Sequence, residues 1–152
     1  MRIWIGMLVL ALQLPSTAAA GDRVHWQDRD VMSDFVYLRY HPDQRYRGLG
    51  IEAYAQKDYA SAMEYFKQAA LYADKASQAF IASMYWEGRG VQRDPAVAYA
   101  WIDLAGERKS PALLAYREQY WSQLDETERA RAVAIGIDLY ADYGDDVAQH
   151  RL

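Results

Sequence analysis

The sequence contains no cysteine and no asparagine among its 152 residues, and only four prolines. Without cysteine, the chain forms no disulfides, no thiolate metal sites and no cysteine nucleophile. The scarcity of proline and the presence of 25 alanines favour helix, because alanine has the highest helix propensity and proline the lowest. The net charge of −4 provides no basic stripe of the kind that nucleic acid requires. We therefore expect a helical protein with no nucleic-acid partner.

Known catalytic and cofactor-binding motifs are also missing. The histidines His25, His41 and His150 are scattered, without the spacing of metal ligands. There is no zinc-protease, nucleophile-elbow or Walker motif. The segment Gly88-Arg89-Gly90 lacks both the third glycine and the preceding strand of a dinucleotide fingerprint. We expect no metal, no cofactor and no catalytic residue.

The first twenty residues have the pattern of a secretory signal peptide. Met1-Arg2 is a positive start, Ile3 to Leu14 is almost wholly apolar, and Ala18-Ala19-Ala20 supplies a small-residue cleavage site. The apolar run has about half of the roughly 20 residues that a membrane-spanning helix needs, and no cysteine is present for a lipid anchor. The sequence predicts a signal peptide over 1–20 and a mature protein in the periplasm or secreted, with no membrane anchor after cleavage.

The mature chain divides into three parts. Residues 21–43 form an N-terminal arm that is either a short helix or an extended segment. Residues 44–143 show apolar side chains at spacings of three and four, which predicts six helices of about 12–16 residues each. Asp94-Pro95 is a helix start signal, and Asp125 with Glu128 forms a capping box. Residues 144–152 are a polar tail that we expect to fray.

The helical part contains an internal repeat. Residues 58–62 (Asp-Tyr-Ala-Ser-Ala) align with residues 94–98 (Asp-Pro-Ala-Val-Ala) at an offset of 36. Two helices per repeat of this length are typical of an α-solenoid. The predicted fold class is therefore all-α, a short α-solenoid of antiparallel helix pairs with a C-terminal capping helix.

At these residues the chain resembles the Sel1-like repeat family, which is related to the tetratricopeptide repeats. The family's fixed spacing is filled here by Ile81, Tyr85, Gly88, Gly90, Val91, Asp94, Ala98, Trp101 and Ala105. The departures, such as Ala82 for a glycine and Gly106 for an alanine, replace one small residue by another. The resemblance covers about 45–142 and implies stacked helix pairs with a concave protein-binding surface.

The chemistry of the motif residues suggests structural roles. Gly88 and Gly90 permit the positive φ angles of a helix end and a turn. Val91 fills the apolar gap beneath that loop, and Asp94 caps the following helix. Ala98 and Trp101 lie on that helix's buried face.

A tetratricopeptide-like register places five candidate partner-binding residues on the concave surface, namely Arg47, Tyr54, Ser83, Trp86 and Glu87. Tyrosine, tryptophan and arginine are enriched in binding hot spots. The alternative for Trp86 is packing against the glycine-rich loop or the N-terminal arm.

These features predict an exported, non-enzymatic scaffold or adaptor module that binds an unknown protein or peptide in the bacterial cell envelope. The first alternative is an enzyme acting on cell-wall material such as peptidoglycan, in which paired acids such as Glu52 and Glu64 flank a cleft. The second alternative is a secreted effector.

Overall fold

The computed structural model describes residues 29–151, without the side chains of residues 29–33 and 35. Over that range the chain is all-helical and contains no strand, which confirms the predicted all-α class. The α-helices are α1 (Arg29–Tyr40), α2 (Pro42–Ala55), α3 (Tyr59–Ala70), α4 (Lys75–Glu87), α5 (Pro95–Ala105), α6 (Pro111–Gln123), α7 (Glu126–Tyr143) and α8 (Asp145–Ala148). None of the described helices is both long and apolar enough to cross a membrane.

The N-terminal part of the chain is described only in part. The signal peptide predicted over 1–20 lies outside the described residues, as does the beginning of the arm. The rest of the arm is helical, because α1 occupies Arg29–Tyr40 and α2 already begins at Pro42. Between the two helices, the His41 ring stacks on Tyr37 with ring centroids 3.9 Å apart.

The helices from α2 to α5 pack in series, each against the next along the chain, and α1 packs mainly on α2. The last two long helices depart from this order. Both α6 and α7 pack against α5 but hardly contact each other. In the predicted solenoid of antiparallel helix pairs, α6 and α7 would pack on each other. They do not, and α5 is instead the common neighbour of both helices.

Aspartate side chains begin four of the helices. Asp58, Asp74 and Asp94 each accept a hydrogen bond from the backbone N–H three residues ahead, at 3.1, 2.8 and 3.2 Å. At α7 the capping box is complete, since Asp125 accepts from the Glu128 amide at 2.8 Å and the Glu128 carboxylate accepts from the Asp125 amide at 3.0 Å. Each cap satisfies an amide that the helix itself leaves unpaired.

The core runs along the facing sides of α2 to α5 and combines large apolar side chains with small residues. The Phe66 ring is fully buried and stacks on Phe80 with ring centroids 4.6 Å apart. Gly50 of α2 lies so close to this ring that a Cβ atom there would overlap it. Close packing of α2 on α3 therefore depends on glycine at position 50, which has no side chain.

The loop between α4 and α5 contains the glycines of the repeat motif. Gly88 ends α4 at φ 72° and Gly90 has φ 71°, a conformation that favours glycine. Val91 is half-buried and packs against the core, while Ala98 and Trp101 of α5 are buried.

The expectation that residues 144–152 fray is wrong for α8, which returns to the body of the protein. Asp145 accepts two hydrogen bonds from Arg108, at 2.9 and 2.8 Å, and lies 3.0 Å from the Lys75 ammonium. Arg151 donates to the Leu71 carbonyl at 3.0 Å. Charged side chains hold the tail in place, and a scan for apolar periodicity does not detect such contacts.

Candidate partner-binding site

Among the predicted partner-binding residues, Arg47 is engaged within the fold. Its guanidinium donates to the carboxylate of Asp74 at 2.5 Å, and that carboxylate is also the N-cap of α4. The Asp74 side chain is only 5% exposed. Arg47 therefore joins α2 to the start of α4 and compensates a buried charge.

Tyr54 lies at the far end of α2 and connects to the loop after α4. Its hydroxyl accepts a hydrogen bond from Arg89 at 2.6 Å, and its ring meets Tyr59 edge-on with centroids 5.2 Å apart. Arg89 is exposed and also forms an ion pair with Glu87 at 2.5 Å. The charge interactions with Tyr54 and Glu87 raise the pKa of Arg89.

Trp86 packs on α6, because its ring stacks face to face on Tyr120 with centroids 4.0 Å apart and an interplanar angle of 9°. The other contact comes from the loop, where the Arg93 guanidinium lies 5.5 Å from the ring centroid and Arg93 donates to the Trp86 carbonyl at 3.0 Å. Burial raises the pKa of Tyr120 to about 12.

The predicted residue Ser83 is half-buried and donates to the Phe80 carbonyl one turn earlier, at 3.1 Å.

These contacts group five residues around the end of α4 and the loop that follows it, and we call this group the Trp86 surface. It consists of Tyr54, Trp86, Glu87, Arg89 and Arg93. The rings of Tyr54 and Trp86 are half-buried. The three charged residues, Glu87, Arg89 and Arg93, are exposed. The helical register did not indicate Arg89 or Arg93, because both lie in the loop, where no helical periodicity applies.

A concave surface, the α6–α7 groove, lies elsewhere on the molecule, where α6 and α7 separate. It has a volume of about 450 Å³. Its lining is mostly apolar and aromatic, and comprises Tyr99, Ala100 and Asp103 of α5, Trp121 of α6, and Ala132, Val133, Gly136, Ile137 and Tyr140 of α7. Val133 and Ile137 are 57% and 69% exposed. Helical periodicity in the sequence did not indicate this groove, because it does not reveal which helices separate.

One carboxylate lies in the α6–α7 groove. The Tyr140 hydroxyl donates to the Asp103 carboxylate at 3.4 Å, and Arg117 lies 3.6 Å from its other oxygen. Burial raises the pKa of Asp103, and Arg117 opposes that shift. Arg117 is closer to Glu118, at 2.8 Å. The groove therefore combines an apolar lining with one carboxylate, Asp103. Its nearest cation, Arg117, is shared with Glu118.

Residues 29–151 contain no group of three acidic or histidine side chains placed to hold a metal ion. Glu52 and Glu64, the acids considered for a catalytic cleft, are both exposed, and Gln56 donates to the Glu52 carboxylate at 3.3 Å.

In comparisons with known proteins, no family model, no curated protein and no solved structure matches this chain.

Proposed function

We propose that this protein is an exported, non-enzymatic interaction module that binds a protein or peptide partner in the bacterial cell envelope. In this proposal its helices form a short solenoid of Sel1-like, tetratricopeptide-like pairs, and residues 1–20 direct its export. The observation that carries the proposal is the Trp86 surface, in which exposed guanidinium groups lie beside half-buried aromatic rings.

The physical chemistry of the Trp86 surface suits a polypeptide partner. Tyrosine, tryptophan and arginine dominate binding hot spots because they offer large contact areas and several hydrogen-bond donors. Here the Arg93 guanidinium lies over Trp86 and Arg89 is held by Tyr54, so both cations are oriented before a partner arrives. Such orientation reduces the entropy lost on binding.

The surface in this proposal omits two of the five predicted residues, Arg47 and Ser83, and adds Arg89 and Arg93. Ser83 is half-buried and donates to the Phe80 carbonyl of its own helix. Arg47 is a poor candidate for partner contact, because it already compensates the carboxylate of Asp74. Arg89 and Arg93 take its place, since both are exposed and adjoin the aromatic residues. Glu87, which pairs with Arg89, stays in the surface and restricts the partner to one that tolerates mixed charge.

The test is affinity purification from the native cell envelope after crosslinking, with partners identified by mass spectrometry. We expect wild type to retain a stoichiometric partner and the double variant Arg89→Ala/Arg93→Ala to lose at least about 90% of it, which corresponds to about 1.4 kcal/mol or more. Unchanged helical circular dichroism would verify that the variant is folded.

A matched control is available in α7. Arg129 lies 5.0 Å from the ring centroid of Trp121 and donates to the Trp121 carbonyl at 3.1 Å, which repeats the arrangement of Arg93 and Trp86 at another place. Arg129→Ala should therefore retain the partner. Equal retention by the double variant, or no specific partner of the wild type, would refute the proposal.

A further inference from the structure

Residues 144–151 attach to the body of the protein differently from the helices before them. The end of α7 is held by packing and a buried hydrogen bond, since the fully buried Gln78 side chain donates to the Tyr143 carbonyl at 3.0 Å and the rings of Tyr143 and Trp101 have centroids 4.9 Å apart. Beyond Tyr143, α8 packs mainly on α7 and buries only Ala148. A helix of four residues is too short to be stable alone, and one methyl side chain adds little apolar burial.

Charged side chains provide most of the remaining attachment. Asp145 lies between two cations, because Arg108 donates to its carboxylate at 2.9 and 2.8 Å and the Lys75 ammonium is 3.0 Å away. The backbone amide of Asp145 also donates to the Glu107 carboxylate, at 3.1 Å. The Arg108 side chain is 59% exposed, so dissolved salt reaches this contact and weakens it.

Release of Asp145 leaves no poorly exposed charge without a partner. Lys75 is the least exposed ion of the group, with only 10% of its side chain exposed. It keeps the Glu107 carboxylate at 2.6 Å and the Leu104 carbonyl at 3.4 Å when Asp145 departs. Arg108 and Asp145 pass into water. The released state therefore avoids the large penalty of an unpaired buried charge.

We propose that residues 144–151 are an electrostatic latch that opens as the ionic strength rises. The Asp145 carboxylate then leaves its two cations, the chain turns at Gly144, and α2 to α7 stay folded. Gly144 separates the held end of α7 from α8 and has no side chain to restrict its backbone rotation. The last attachment, from the exposed Arg151 to the Leu71 carbonyl at 3.0 Å, is to a neutral acceptor that water replaces at little cost. The latch makes the accessibility of the C-terminal residues depend on the salt concentration of the medium.

Amide exchange with solvent, followed by NMR on the full chain, tests the latch. The Ala148 amide is the reporter, because it donates to the Gly144 carbonyl at 3.0 Å while α8 is docked and a docked α8 is needed to keep that bond. Ile102, buried in α5, reports on the whole fold. Raising sodium chloride from about 0.02 to about 0.5 M should speed exchange at Ala148 by at least about fivefold and at Ile102 by less than about twofold.

Two variants remove the same charge from adjacent positions of α8. Asp145 makes the contacts described above, whereas Asp146 is exposed and takes no part in the ion pairs of Lys75 and Arg108. Asp145→Asn should exchange at Ala148 as fast in low salt as wild type does in high salt, and its rate should no longer depend on salt. Asp146→Asn is the matched control and should behave as wild type does.

Each alternative result would overturn the proposal. Exchange at Ala148 that does not respond to salt, or that is unchanged in Asp145→Asn, excludes an electrostatic latch. Equal acceleration at Ile102 shows that salt acts on the whole fold. Equal effects of the two variants show that the net charge of α8, and not the contact of Asp145, holds it. None of these positions lies in the Trp86 surface, so the proposed function is tested independently.

Discussion

Replacement of Asp94 separates two stabilising contacts that one side chain makes. Its Oδ1 accepts from the Val97 amide at 3.2 Å and caps α5, while its two oxygens accept from Arg131 of α7 at 2.8 and 2.6 Å. The Asp94 side chain is 22% exposed and that of Arg131 is 54% exposed. Because the Arg131 end of the ion pair is well solvated, we expect the cap to contribute more to stability than the pair does.

The two contacts have different expected magnitudes. Loss of an N-cap costs about 0.5–2 kcal/mol, and an exposed ion pair contributes about 0.2–1 kcal/mol. Asp94→Ala removes both contacts and should lower the free energy of unfolding by about 1–3 kcal/mol. Asp94→Asn keeps a capping oxygen and loses only the charge, so it should cost less than about 1 kcal/mol, as should Arg131→Ala.

Urea unfolding followed by helical circular dichroism measures these differences, provided that the m-values of the variants agree. If Asp94→Asn destabilises the protein as much as Asp94→Ala does, the ion pair with Arg131 and not the helix cap dominates, which refutes the expected order. The pH dependence provides a second check. The hydrogen bond from Arg131 lowers the pKa of Asp94 from its usual 3.8, so the advantage of wild type over Asp94→Asn is present above that value and is lost as the pH falls through the lower, folded-state pKa.

Two further predictions concern glycine and the groove carboxylate. Gly88→Ala should cost about 1–2 kcal/mol of unfolding free energy, mainly through its positive φ, because its Cβ would approach Arg93 only to 3.3 Å. Gly90→Ala should cost about 2–5 kcal/mol, because its Cβ would also overlap Tyr59. Equal urea midpoints for the two variants would contradict this. Asp103→Asn should raise the free energy of unfolding at neutral pH by less than about 1 kcal/mol, and with it the urea midpoint. The reason is that burial raises the pKa of Asp103 and disfavours its charged form. This gain should vanish as the pH falls through the raised pKa and wild type becomes protonated, and a lowered midpoint at neutral pH would show that the pair with Arg117 outweighs burial.

The helical segments were predictable because their signals are local. The apolar side chains of each helix recur at short spacing, and aspartates such as Asp58 and Asp125 stand immediately before the first turn that they cap. The left-handed conformations of Gly88 and Gly90 followed from the same short-range chemistry. Such signals depend on a few neighbouring residues, so one sequence is sufficient to read them.

The partners of individual side chains were not predictable, because they depend on how distant helices align. The pair of Arg47 with Asp74 spans 27 residues, and that of Arg108 with Asp145 spans 37. A helical register predicts which side of a helix Arg47 occupies but not which carboxylate lies opposite. Polar contacts of this kind have no periodicity, and for that reason the docked tail was also missed.

The α6–α7 groove exists because aromatic contacts hold α6 close to α4 and α5. Tyr120 stacks on Trp86 of α4, and Trp121 lies against Tyr99 of α5 with ring centroids 4.7 Å apart. At the end where α6 and α7 join, Arg129 donates twice to the Trp121 carbonyl, at 3.3 and 3.1 Å. The two aromatic contacts direct α6 toward α4 and α5, while the hydrogen bonds from Arg129 join α6 to α7 only at their connection. Beyond that connection the two helices hardly pack on each other, so Val133 and Ile137 of α7 stay exposed on the wall of the groove.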